Sequence, residues 1–177
     1  MPQFVVLLRG VNVGKANRVP MAAFRELLEA HGFSEVRTLL NSGNAVFRSA
    51  ARSATNHAKA IGAGLRESLG VSVLVVVKSS PEFLAVVSEN PLVLPETHHS
   101  RFLVAFAQGG AATEGLSALL PMLRPQEQFH IGSHAAYLYC KGGILESKAG
   151  SALLGKPGRE VTTRNWATVL KIKALLG

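Results

Sequence analysis

Three features of this 177-residue sequence predict an α+β fold. Apolar, β-branched runs alternate with helix-period stretches over residues 1–79. Their order is strand, helix, strand, strand, helix, strand, a ferredoxin-like βαββαβ unit. Residues 80–177 read as a second, degenerate βαββα half, and glycine or proline punctuates most junctions. The two halves, 1–79 and 80–177, are expected to pack as one compact structural unit. The echo rests on element order alone; an α+β domain without internal symmetry is the alternative.

Each element has its own justification. Phe4–Leu8 is an unbroken apolar run, which suits a buried strand. Pro20 stands where a first helical residue tolerates a missing N–H. Phe24, Leu27, Leu28 and His31 then recur at helical spacing until Gly32. Val36–Leu40 and Ala45–Arg48 form a hairpin across Asn41-Ser42-Gly43-Asn44. Ala58, Ile61, Leu65 and Leu69 form the buried stripe of a second helix that Gly70 ends. Val71–Lys78 is the fourth strand. In the second half, Pro81–Asn90 is a helix capped by Ser79 or Ser80. Arg101–Ala107 is a strand, and Thr113–Leu120 is a helix stopped at Pro121. Gln126–Ile131 and Ala135–Lys141 form a hairpin. Thr162 or Thr163 caps a last helix that contains Trp166, Val169 and Leu170.

Composition narrows the function classes. Formal net charge is +8, and every acidic residue is a glutamate, which removes motifs built on aspartate. Residues 1–79 hold ten Lys and Arg against four Glu, and residues 80–177 hold nine against seven. The surplus therefore sits mainly in the first half, and a basic surface attracts nucleic acid, nucleotides or acidic partners. The alternative is a charge bias that serves solubility. Cys140 is the only cysteine, so neither an intrachain disulfide nor a Cys-based zinc site can form. That suits a cytoplasmic protein. No leader pattern or membrane-length apolar run is visible, and no membrane partner is expected.

Chemistry concentrates in two stretches. Arg9-Gly10-Val11-Asn12-Val13-Gly14-Lys15 joins two cations, two glycines and an asparagine between a strand and a helix. Such a loop can offer backbone N–H groups and positive charge to an anion together. It has one residue too few between the glycines for a Walker loop, and Ala16 replaces the magnesium-binding hydroxyl. The plain alternative is a βα connection whose glycines only make turns. The second stretch, Thr162-Thr163-Arg164-Asn165-Trp166, opens the predicted final helix with a cap and a cation. Trp166 suits either a base stack or the core. The Asn41–Asn44 turn is expected at the opposite end of the sheet from the Arg9 loop. The His98-His99 pair and His130 with His134 lack metal-ligand spacing, so no metal and no cofactor are expected. No catalytic set assembles, and enzyme status stays open.

Four stretches carry a family resemblance: Leu7–Lys15, Val19–Phe33, Val36–Phe47 and Thr162–Lys171. On these the chain resembles the DUF1697 family, uncharacterised bacterial proteins of unknown function. Family members often have a glycine where Lys15 stands, so this loop is more cationic. The resemblance implies an intracellular α+β protein with ferredoxin-like elements and no established activity. Arg9, Gly10, Asn12, Gly14, Ser42, Gly43, Asn44, Thr163, Arg164, Asn165 and Trp166 match its pattern. With Lys15, they are the candidate ligand-binding residues.

Three functions are carried forward. The first is a binding module that takes a phosphate, nucleotide or nucleic acid through a basic cleft. The second is an enzyme acting on a small anionic metabolite. The third is a structural or interaction protein that forms a homodimer.

Overall fold

A computed structural model describes all residues, Met1–Gly177, and is mixed α+β. The chain divides into two compact units, Met1–Phe83 with Ile172–Gly177, and Leu84–Lys171.

The first unit holds β1 (Gln3–Leu8), α1 (Met21–Ala30), β2 (Ser34–Leu39), β3 (Asn44–Arg48), α2 (Ala54–Leu69) and β4 (Val75–Ser79). Its strands form one antiparallel sheet in the order β2-β3-β1-β4. Alternation decides which side chains meet the helices. Phe4, Val6 and Leu8 of β1, with Ala45 and Phe47 of β3, share a core with Phe24, Leu27 and Leu28 of α1. Ala58, Ile61 and Leu65 of α2 close that core, as their spacing predicts. Phe33 stacks on Phe47 at 4.3 Å between ring centroids, and the His57 ring stands edge-on to Phe4, Phe33 and Phe47. The His57 Nε2 lies 2.9 Å from the Ala51 carbonyl, so the ring is buried with a polar partner. Ser53 caps α2 by accepting from the Asn56 N–H, and Gly70 ends it in the left-handed region at φ +65°.

The second unit takes in most of α3 (Ser80–Glu89), then β5 (Phe102–Phe106), α4 (Gly110–Glu114), β6 (Gln128–Ile131), β7 (Ala136–Tyr139), α5 (Lys148–Leu154), β8 (Thr162–Asn165) and the start of α6 (Trp166–Leu175). Its sheet order is β6-β7-β5-β8, the order of the first sheet with four added to each number. The repeat is therefore one of topology. Leu103, Ala105, Ala136 and Leu138 pack with Leu116, Leu119, Ala149 and Leu153 in its core. Cys140 lies in that core, where burial above all pushes its thiol up to about 11, so it stays protonated and inert at neutral pH.

Three expectations need correction. Thr162–Asn165 is a strand, not the cap and first turn of a helix. Its residues pair with β5, Phe106 against Thr162 and Leu103 against Asn165, and the final helix starts only at Trp166. Two adjacent β-branched threonines suit a pleated strand, and that long-range pairing outweighs their local capping preference. The second half is therefore βαββαβ followed by a helix, rather than βαββα. Pro121 does not stop a helix either: a 3₁₀ segment, Gly115–Met122, runs through it after the short α4. The third correction concerns the Asn41–Asn44 turn and belongs to the site below.

Candidate functional site

The connection from β1 to α1 is shaped by residues that tolerate the left-handed region. Gly10 and Gly14 both have φ +66°, and Asn12 and Asn17 have φ +57° and +52°. Asn12 ties the loop together. Its Nδ2 donates to the Val19 carbonyl at 2.8 Å and to the Asn41 carbonyl at 2.7 Å. Its Oδ1 accepts from the Val19 N–H at 2.8 Å. The Asn12 amide is thus committed within the chain and positions the loop, leaving ligand contacts to its neighbours.

The bond to Asn41 overturns the expected placement of the β2–β3 turn. Antiparallel neighbours run in opposite directions, so β3 begins where β1 stops. The register pairs Leu7 with Asn44, and the Leu8 N–H donates to the Gly43 carbonyl at 2.9 Å. The turn and the Arg9–Lys15 loop therefore share one end of the sheet. Asn44 is buried, and its Nδ2 donates to the Leu39 carbonyl at 3.0 Å and the Ser42 Oγ at 2.9 Å. Leu40 adopts φ +58° in the same turn, a costly conformation for leucine.

Asn12, Arg18, Val19, Pro20 and Asn41 line a cleft of about 310 Å³ at this end. The start of α1 opens beside it. Pro20 at its N-cap has no side chain to cap with, and no acid lies in the first turn. Lys15 and Arg18 are exposed and join no ion pair. The first acidic residue in the chain is Glu26, so the whole β1–α1 connection is cationic. Arg18 and Asn41 were not singled out from the sequence. The antiparallel register would have found Asn41, and proximity to a helix start would have found Arg18.

The other candidates lie in the second unit, on β8 and the start of α6. Arg164 is buried, its guanidinium donating to the Thr162 Oγ1 at 2.8 Å and the Thr163 carbonyl at 2.7 Å. Burial pulls its pKa down to about 10, which still leaves it charged at neutral pH. Asn165, rather than Thr163, caps α6, its Oδ1 accepting from the Thr168 N–H at 2.9 Å. Trp166 is half-buried and tilts against Phe102 at 5.6 Å. No group of three or more His, Cys or Glu stands close enough to hold a metal ion. No helix is long and apolar enough to cross a membrane.

Replacing Asn12 by alanine is expected to cost about 2 kcal/mol, because three hydrogen bonds go and alanine resists a positive φ. Urea titration measures this; a variant within experimental error of the parent would mean that Asn12 does not hold the loop.

Fold and site together define a two-sheet α+β protein with a cationic strand-to-helix connection. The chain belongs to the family described as "Protein of unknown function (DUF1697)", whose profile matches residues 1–137. The Thr162–Lys171 stretch lies beyond the matched residues. Among solved structures, the chain is similar to one titled "The structure of conserved bacterial protein SP0830 from Streptococcus pneumoniae". The two are 24% identical with a TM-score of 0.77, and the match covers 99% of each chain. That likeness is one of fold. No curated protein matches the sequence.

Proposed function

We propose that the chain binds a phosphorylated ligand, a nucleotide or nucleic acid, at the β1–α1 end of its first unit. The observation that carries this reading is the cleft beside the uncapped start of α1, lined by Arg18 and Asn41 with Lys15 in the same loop. Backbone N–H groups at a helix start and neighbouring cations both favour an anion. The reading takes residues 1–79 as a ferredoxin-like βαββαβ unit. The strand order β2-β3-β1-β4, with both helices in one core on one face, supports that assignment. In such a unit the glycine-rich connection is a rigid edge, because Asn12 fastens it to the neighbouring turn.

Salt dependence tests the proposal. Binding of a fluorescent oligonucleotide, with ATP as competitor, should weaken linearly in log–log form as salt rises. Changing Lys15 and Arg18 to alanine should reduce that slope by about one for each phosphate no longer neutralised. The thermal transition without ligand should not move, since both side chains are exposed. No binding at low salt, or the same slope in the variant, would remove the reading.

A further inference from the structure

We propose that the second unit carries its own binding site for a phosphomonoester, in a cleft between the end of α4 and the turn that leads into β8. The cleft measures about 360 Å³, and its lining includes Ala112, Gly115, Lys156, Arg159, Glu160 and Val161. This site is separate from the one at the β1–α1 connection and stands whether or not that one exists.

Two features make the turn a prepared receptor. Lys156–Gly158 is one turn of 3₁₀ helix, and the Arg159 N–H donates to the Lys156 carbonyl at 3.1 Å. In that geometry residues three apart lie on the same side, so Lys156 and Arg159 are held as neighbours. Two like charges side by side repel, and neither is neutralised in an ion pair. An anion between them would relieve that repulsion.

The turn is also anchored. Gly158 is buried and sits directly against the Leu153 carbonyl oxygen, where any Cβ would overlap it. The turn therefore packs closely on the last turn of α5. A fixed backbone under the two exposed side chains lowers the ordering entropy that binding costs. The opposite wall is open, because Gly115 has no heavy atom within 4 Å of a notional Cβ.

Glu160 decides the ligand class. A carboxylate in an otherwise cationic cleft disfavours a bare anion and accepts hydrogen bonds from a hydroxyl or amine. The matching ligand pairs a phosphoryl group, on Lys156 and Arg159, with a neighbouring hydroxyl or amino donor, on Glu160. A sugar phosphate and the sugar-phosphate part of a nucleotide share that chemistry, and the cleft volume suits a small ligand.

The test uses the full chain, with ribose 5-phosphate, adenosine 5′-monophosphate and inorganic phosphate as probes, followed by amide chemical shifts. Saturable shifts are expected at Gly115, Lys156 and residues 158–161, with ribose 5-phosphate binding about tenfold tighter than inorganic phosphate. Comparable binding of adenosine 5′-monophosphate would place nucleotides within the class; its exclusion would restrict the site to sugar phosphates. Changing Lys156 and Arg159 to glutamine should remove the shifts and leave the unliganded spectrum folded. Glu160→Gln should abolish the preference over inorganic phosphate and keep phosphate binding. Lys15→Ala with Arg18→Ala should leave the site untouched. Shifts confined to the β1–α1 connection, none at millimolar probe, or shifts that survive removal of both cations would each overturn the proposal.

Discussion

Gly43→Ala is expected to lower stability by about 4 kcal/mol, a drop of roughly 10 °C in melting temperature for a chain of this size. Two costs add. Gly43 has φ +84°, where an L side chain is strained whatever the space around it. A Cβ built there would also lie 2.6 Å from the Leu8 Cβ and 2.9 Å from the Val11 Cγ2, both buried side chains with no room to retreat. Relief requires the β2–β3 turn to lift from the end of β1. That movement pulls the Gly43 carbonyl off the Leu8 N–H and the Asn41 carbonyl off Asn12. On the proposed function, the variant should also bind a phosphorylated ligand more weakly at the β1–α1 cleft. Gly70→Ala is the control for strain alone. Gly70 has φ +65° but open space around a notional Cβ, so its cost should stay near 1 kcal/mol. Equal melting temperatures for the two variants would mean that the close approach of turn and strand is not rigid.

The same turn shows what was legible in the sequence. Strong local signals carried the first unit: the apolar run of β1, the helical spacing in α1 and α2, and Gly70 all do what their residue types dictate. Placing the Asn41–Asn44 turn required only the rule that antiparallel neighbours reverse direction, and the expectation from sequence set it at the wrong end of the sheet. β8 is a different kind of miss. Thr162–Asn165 passes into α6 with no glycine or proline between them, so the local signal reads as a cap. Only pairing with Phe102–Phe106, about sixty residues earlier in the chain, makes it a strand. Site residues followed the same division. The Arg9–Lys15 loop announces itself through glycine and asparagine. Arg164 and Asn44 look like surface polar residues in sequence, and their burial depends on the sheets that hold them.

Glu89 makes a set of bonds that no local pattern could show, and it supports a prediction of similar size. Its carboxylate ends α3 against the β6–β7 hairpin. It accepts from the Ser133 N–H, from the His134 N–H at 3.1 Å and from the Tyr137 hydroxyl at 3.1 Å; that hydroxyl also lies 2.5 Å from the Val86 carbonyl. The His134 Nδ1 stands 3.7 Å away. A Cβ at Gly132 would lie 2.4 Å from the Glu89 carboxylate, so a side chain there would displace that carboxylate from its partners. Burial alone would push the Glu89 carboxyl up, but the His134 and Ser133 N–H groups, the Tyr137 hydroxyl and the nearby His134 charge outweigh it and hold the carboxyl below its ordinary value. The Tyr137 hydroxyl moves the other way, raised by burial first and then by the Glu89 charge and hydrogen bond. Glu89→Gln is expected to cost about 3 kcal/mol at neutral pH, because charge-assisted bonds weaken and an amide N–H₂ faces donors. The pH dependence has a definite sign. A carboxyl whose folded pKa is depressed contributes stability above its unfolded value, near 4.5, and loses it as pH falls through the folded value. The gap between parent and Glu89→Gln should accordingly be full at pH 7 and shrink below about pH 4.5. Glu127 is depressed as well, burial pushing it up but hydrogen bonds from Ser147, the Arg124 N–H and Cys140 outweighing that, so the parent alone would confound the two carboxylates and the difference between proteins is the quantity to follow. A gap that stays constant from pH 7 to pH 3 would show that Glu89 acts through packing rather than through its charge.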